Sequence, residues 1–305
     1  MASHSGVKAI IAALLGNLGI AVTKLIAFAL SGSSSMLAES VHSIADTGNQ
    51  LLLLLGGRRA RREPDPAHPF GYGRDRYFYA FVVALVLFSL GGCFALFEAW
   101  EKFTHPEPIE AWAWVPLAVL GVSVALESFS LRTAVHEARP ARGSKTWWQF
   151  IRTAKAPELP VVLLEDTAAL TGLVLALGGV SATLATGDGR WDAVGSAAIG
   201  LLLIAVAVVL ARETKSLLLG EAAADDDVAA IRAALPGQGI ASVIHLRTVH
   251  LGPEEVLVAA KVETDPALSS ANLAAAIDAA ETRARAAVSS DLVIYLEPDL
   301  RREPE

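Results

Sequence analysis

Six apolar stretches, each near the length that crosses a bilayer, fill the first 220 residues of this 305-residue chain. They run roughly Val7–Leu30, Met36–Gly56, Tyr77–Phe97, Trp112–Leu131, Leu159–Leu184 and Trp191–Leu210. A helix needs about 20 apolar residues to span the hydrocarbon, where each backbone polar group must be satisfied within its own segment. The stretches therefore predict six transmembrane helices and argue against a soluble enzyme. Tyr77, Tyr79, Trp100, Trp112, Trp114 and Trp191 lie near their ends, where amphipathic rings sit among headgroups. The first stretch reads as a span rather than a secretory leader. It is long, it lacks a basic start beyond Lys8, and it runs into the second span after the turn Ser31–Ser35.

Charge then orients the spans. Arg58, Arg59, Arg61, Arg62, Arg74 and Arg76 lie between the second and third, and Arg132, Arg139, Arg142, Lys145, Arg152 and Lys155 between the fourth and fifth. The alternate loops hold little beyond Lys102 and Arg190. Basic loops stay on the cytoplasmic side, so both termini are expected in the cytoplasm; the Ala- and Arg-rich composition suggests a bacterial inner membrane. The net charge of −7 needs the same partition. Residues 1–220 carry 18 Lys and Arg against 17 Asp and Glu, whereas residues 221–305 carry 7 against 15. The acidity belongs to the tail, the net charge argues against a nucleic-acid binder, and the arginine-rich loops read as topology determinants rather than nucleic-acid patches. A single cysteine, Cys93, excludes a disulfide framework and a multi-cysteine zinc finger.

These shifts divide the chain into a membrane domain, 1–219, and a cytoplasmic α+β domain, 220–305. In the latter, Asp225–Leu235 reads as a helix, Ser242–Val249 and Val256–Glu263 as strands, Ser270–Val288 as a helix capped by Ser269 or Ser270, and Leu292–Leu296 as a third strand. A unit this small has a modest core, so a partner surface is expected on it.

Ionisable residues within a span mark function by default, because an unpaired charge there is costly. In the second span Glu39, His42, Ser43, Asp46, Asn49 and Gln50 share one helical face, with Leu37, Val41 and Ile44 opposite. His42 and Asp46 are one turn apart, a spacing at which an imidazole and a carboxylate reach the same divalent ion. The fifth span carries adjacent Glu165 and Asp166, which diverge by about 100° on a helix; one should face the site and the other a neighbouring helix. Asn17 and Lys24 in the first span and Glu127 in the fourth complete the intramembrane polar set. Lys24 and Glu127 are read as a structural ion pair, and Glu39 as a helix-end carboxylate near the outer surface.

Three segments are distinctive: Gly32-Ser-Ser-Ser-Met-Leu-Ala-Glu-Ser-Val-His-Ser-Ile-Ala-Asp46, His68-Pro-Phe-Gly-Tyr-Gly-Arg74 and Leu164-Glu-Asp-Thr-Ala-Ala-Leu-Thr-Gly172. Asp192-Ala-Val-Gly-Ser196 is a weaker fourth. With the six-span layout and the α-β-β-α-β tail they resemble the cation diffusion facilitator family of zinc and other divalent-metal transporters. Within it the fifth-span segment, with Arg76-Tyr-Phe-Tyr-Ala-Phe-Val-Val-Ala84, looks like the subgroup that includes animal zinc transporter nine. The resemblance implies a metal/proton antiporter that exports its cation, with no prosthetic group, working as a homodimer joined through the tail. Its central site pairs two positions on the second span with two on the fifth. Here these fall on His42, Asp46 and Asp166, with Val162 at the fourth; Glu165 or water then replaces the missing ligand. Zn²⁺ is the first expectation, and carboxylate-rich ligation also suits Mn²⁺, Fe²⁺ or Co²⁺.

The family's loop site falls on Asp65 and His68 with Tyr72 in place of a second histidine, which implies at most a weak site. Its tail histidine positions fall on Ile244, Ala260 and Tyr295, beside an acidic position at Glu297. His245 and His250 stand nearby at opposite strand parity. Two other readings stay open. One is a non-transporting scaffold with a weakened site, kept alive by Val162. The other is an intramembrane metalloenzyme, although HExxH and GxSxG motifs are missing from the sequence.

Overall fold

A computed structural model describes residues 18–106 and 114–300, in two compact units. Asn17 and the start of the first predicted span lie outside the described residues. One unit holds the described residues up to Gly57 together with Phe78–Thr214. Its helices are α1 (Leu18–Ser31), α2 (Ser34–Arg59), α3 (Asp75–Thr104), α4 (Trp114–Arg142), α5 (Trp147–Thr153), α6 (Glu158–Thr186) and α7 (Arg190–Leu219), some of whose ends belong to the second unit.

Four of these, α3, α4, α6 and α7, are long and apolar enough to cross a membrane. α2 has 26 residues, but its polar stripe dilutes its hydropathy. The described part of α1 is apolar and shorter. Burial in this unit is the reverse of a soluble protein's. Lys24, Glu39, His42, Asn49 and Asp192 are almost wholly buried, while Phe97, Phe129, Val122 and Leu201 are more than half exposed. Apolar side chains turned outward around a polar interior are what lipid solvation demands. The apolar core between the helices is built from Met36, Val83, Leu87, Leu120, Val161, Leu173, Ile199 and Leu203.

Some elements depart from expectation. α3 continues past Phe97 to Thr104 through π-type turns over Leu87–Cys93. α4 runs beyond Leu131 to Arg142, with Pro140 in its last turns. The short α5 was not expected at all. Its start is a capping box: Thr146 Oγ1 accepts from the Gln149 amide at 3.2 Å, and Gln149 Oε1 accepts from the Thr146 amide at 3.0 Å.

α6 stops at Gly187, whose φ of 74° is open to glycine and strained for other residues. α6 and α7 then approach through glycines. A Cβ on Gly179 would lie 2.9 Å from the Trp191 carbonyl and 3.2 Å from the Gly195 Cα. The same region caps α2 from another helix. Asp192 Oδ1 accepts from Ser33 Oγ at 3.0 Å and from the Ser35 amide at 3.3 Å, serving a free amide and the positive end of α2 together. Replacing Asp192 with Ala strands these buried donors, so it should cost about 1–3 kcal/mol and lower the unfolding midpoint in detergent. An unchanged midpoint would mean the cap contributes nothing.

The second unit joins Arg58–Tyr77 to the chain from Lys215 onward. The tail elements follow in the order α8 (Asp225–Ala234), β1 (Ile240–His250), β2 (Glu255–Thr264), α9 (Ser270–Ala287) and β3 (Asp291–Asp299). β2 is central, antiparallel to β1 and parallel to β3. The parallel pair requires a crossover, which α9 supplies. Ser269 caps it by accepting from the Asn272 amide at 3.3 Å. Ile231, Leu235, Val258, Val262, Ala280 and Ile294 form its core. Arg283 of α9 donates to the carbonyls of Ala234 and Leu235, each at 2.9 Å, and so closes the C-terminus of α8.

Candidate metal centre

His42 and Asp46 meet on the buried face of α2. Their Nδ1 and Oδ1 atoms are 3.4 Å apart, with the His42 side chain 1% exposed and that of Asp46 15%. Both His42 ring nitrogens are buried without a hydrogen-bond partner, as is Asp46 Oδ1. Buried polar atoms of native proteins are nearly always satisfied, so these unmet atoms single out His42 and Asp46 as the candidate ligands of this unit. Asp46 also lines a crevice with Ile20, Ser43 and Glu127, between α1, α2 and α4.

The two acids of α6 diverge as their adjacency requires. Glu165 is buried and turned toward α2, where Asn49 Nδ2 donates to its Oε1. Asp166 is turned toward α4, accepting from Ser130 Oγ at 3.0 Å. Asn49 lies seven positions after His42, on the same stripe. Glu165 is thus the acid aligned with the α2 face. Among the described residues, no three His, Cys, Asp or Glu side chains already converge at ligand distance. The arrangement is a histidine–aspartate pair with the two α6 acids held aside by Asn49 and Ser130.

Two expectations about the supporting charges are corrected. Lys24 pairs with Glu39, not with Glu127: its Nζ is 3.0 Å from Glu39 Oε2 and donates to Ser43 Oγ at 2.9 Å. Glu39 is accordingly no surface carboxylate; it is 0% exposed. The stagger of α1 against α2 decides this pairing, and a sequence does not display it. Ser130, the hydrogen-bond partner of Asp166, is a residue of the candidate site that sequence reasoning missed. Its signal was its place three residues after Glu127, on the same face of α4.

In the second unit, Asp65 is occupied by its own loop. Its Oδ1 accepts from the amides of His68 at 2.7 Å and Ala67 at 2.9 Å, and its Oδ2 accepts from the Tyr72 hydroxyl at 2.6 Å. The His68 Nδ1 is 3.4 Å from Oδ1, and the His68 and Tyr72 rings lie 4.3 Å apart. The Tyr72 hydroxyl above all, and then the His68 amide, hold the Asp65 carboxyl below its ordinary value. A lowered acid stabilises the loop at pH above about 4 and gives that up as pH falls through its folded pKa. Replacing Tyr72 with Phe should move the Asp65 titration up toward 3.8, read from its carboxylate ¹³C shift. An unmoved titration would dismiss Tyr72 as the cause. On β1, His245 is exposed, while His250 is buried with Nδ1 3.1 Å from the Gly252 carbonyl.

A helical unit with apolar side chains turned outward and a His–Asp pair inside, followed in the chain by a small α+β tail, defines a membrane protein with an intramembrane polar site. The cation efflux transmembrane domain matches residues 10–219, and the chain belongs to that family. It is 33% identical over 245 residues to the proton-coupled zinc antiporter SLC30A9, mitochondrial, of Xenopus laevis, covering 79% of this chain and 44% of that protein. It is 30% identical over 238 residues to metal tolerance protein C4 of Arabidopsis thaliana, covering 76% of this chain and 51% of the relative. It is also 34% identical over 115 residues to the zinc transporter ZitB of Escherichia coli, covering 37% of this chain and 36% of that one. The chain spans about half or less of the first two relatives' lengths.

Proposed function

We propose that the chain is a proton-coupled exporter of divalent cations, with Zn²⁺ its first substrate. It crosses the membrane six times, keeps both termini in the cytoplasm, and works as a homodimer in a bacterial inner membrane. The observation that carries this reading is the His42–Asp46 pair, whose buried ring nitrogens and Oδ1 lack hydrogen-bond partners, on the same helix stripe that reaches Glu165 of α6 through Asn49. The cation binds His42, Asp46 and, once it leaves Asn49, Glu165, with Asp166 the more weakly engaged fourth ligand. Family membership supports transport over catalysis. The word zinc in the names of the frog and Escherichia coli relatives supports the choice of metal.

Ligands hold a metal only when unprotonated, so loading from the cytoplasm releases protons. Protons arriving from the opposite side compete for the same lone pairs and eject the cation. Histidine suits this exchange because its ordinary pKa lies near neutrality. Orientation rests on the basic loops, whose arginines flank α2 and α3. The dimer rests on the tail, where the small sheet leaves Tyr295 and Ile244 exposed as apolar surface for a second copy.

Purified protein in liposomes loaded with a zinc-sensitive dye tests the whole reading. Zinc entry should rise with an opposing proton gradient and fall when an ionophore collapses it. Protein that leaves zinc flux at the level of empty liposomes under every gradient is a scaffold rather than a transporter.

A further inference from the structure

Directly beside the His42–Asp46 pair stands a second charged group that this ligand set does not use. Glu39 is one turn earlier on the same face of α2, toward Ser34 and away from the end that carries Arg58 and Arg59. Its Oε2 is engaged by Lys24 at 3.0 Å. Its Oε1 is buried and has no hydrogen-bond partner. That oxygen points at Gly172 of α6, where a Cβ would come within 2.8 Å of it. A carboxylate with one oxygen tethered and the other unsatisfied, in room left by a glycine, is not explained by packing alone.

Lys24 is equally unusual. Its ammonium is 1% exposed and hydrogen-bonds across to α2 at both Glu39 and Ser43. It lies close enough to act electrostatically on His42, Asp46 and Glu127. A fixed positive charge so near a cation site opposes occupancy unless something balances it, and in a low-dielectric interior that opposition is strong. Glu39 provides the balance while Lys24 holds it. A divalent cation moving from His42 toward the Ser34 end of α2 meets this pair next.

We propose that Glu39 is a further ligand on the cation path, one turn beyond His42–Asp46, and that Lys24 is its tethered counter-cation, holding the place until a metal displaces it. The inference rests on the central-site reading above. Lys24 acts through Glu39 and is a positioning residue: it weakens metal retention and so speeds release. The cation advances by exchanging places with an ammonium that cannot leave.

The test measures zinc binding by calorimetry and zinc flux in liposomes, using the full chain. In E39Q the ammonium is unbalanced, and zinc affinity should fall by at least about tenfold. In K24M the carboxylate is vacant, and zinc should bind at least about tenfold more tightly while maximal flux drops, because release slows. The neutral double variant K24M/E39Q leaves no unpaired charge and so folds; it should bind zinc near wild-type strength and still transport poorly. A purely structural pair gives another pattern: both single variants lose thermal stability without opposite affinity shifts, and the double variant transports like wild type. That pattern overturns the proposal. H42A, run in parallel, separates the two levels. If it binds and transports zinc as wild type does, the central site falls and Glu39 with it. If H42A is inactive but the opposite shifts are missing, only the Glu39–Lys24 inference falls.

Discussion

His42→Ala and Asp46→Ala should each reduce zinc flux to that of protein-free liposomes. The two side chains are 3.4 Å apart on one face of α2, and each supplies a donor type that the other lacks. Removing the imidazole leaves only carboxylates, which hold zinc less selectively than a mixed set. Removing Asp46 takes away the charge that offsets the dication. The fold should survive both changes. His42 has no protein hydrogen bond to lose, and a smaller side chain there relieves buried polar groups of unmet partners. Calorimetry therefore accompanies flux: zinc binding should vanish while the unfolding midpoint stays within a few degrees. Normal flux in either variant would remove α2 from the binding site.

The readability of this molecule from its sequence follows a physical line. Whatever depends on one segment's own periodicity is visible. The stripe from Glu39 to Gln50 needs only the pitch of a helix, and the strands of the tail need only their alternation and the Gly252–Pro253 turn. The order of tail elements emerges the same way. Whatever depends on how two helices slide past each other is hidden. Lys24 has acids at comparable depth on α2 and α4, and only the observed stagger selects Glu39. Likewise, adjacency fixes that Glu165 and Asp166 diverge, but the partners Asn49 and Ser130 decide which acid turns toward α2. The missed α5 is a different case, since its Thr146-x-x-Gln149 box was present and the surrounding basic loop masked it. That β2 and β3 run parallel is implied by the intervening α9, whereas the irregular register near Val243 and His245 in β1 leaves no sequence mark.

The divergence of the α6 acids gives the second large effect. Glu165→Gln should cut zinc flux as severely as loss of Asp46, whereas Asp166→Asn should leave a measurable fraction. Glu165 is the better aligned of the two: it is buried, and Asn49 already ties it to the ligand-bearing face of α2. To reach a cation it exchanges one neutral hydrogen bond for a metal bond, without leaving that face. Asp166 must give up Ser130 of α4 and swing around the helix. Val162, where the related pair would place a ligand, makes the contrast sharper, because no side chain one turn earlier assists Asp166. Asn49→Ala adds an independent arm. It frees Glu165 from its resting partner, so zinc affinity should rise by a factor of about 5, the equivalent of one net hydrogen bond of roughly 1 kcal/mol, while transport persists. The reverse order, with Asp166→Asn abolishing zinc flux and Glu165→Gln harmless, would place Glu165 outside the ligand set. It would also return the vacant coordination position to water.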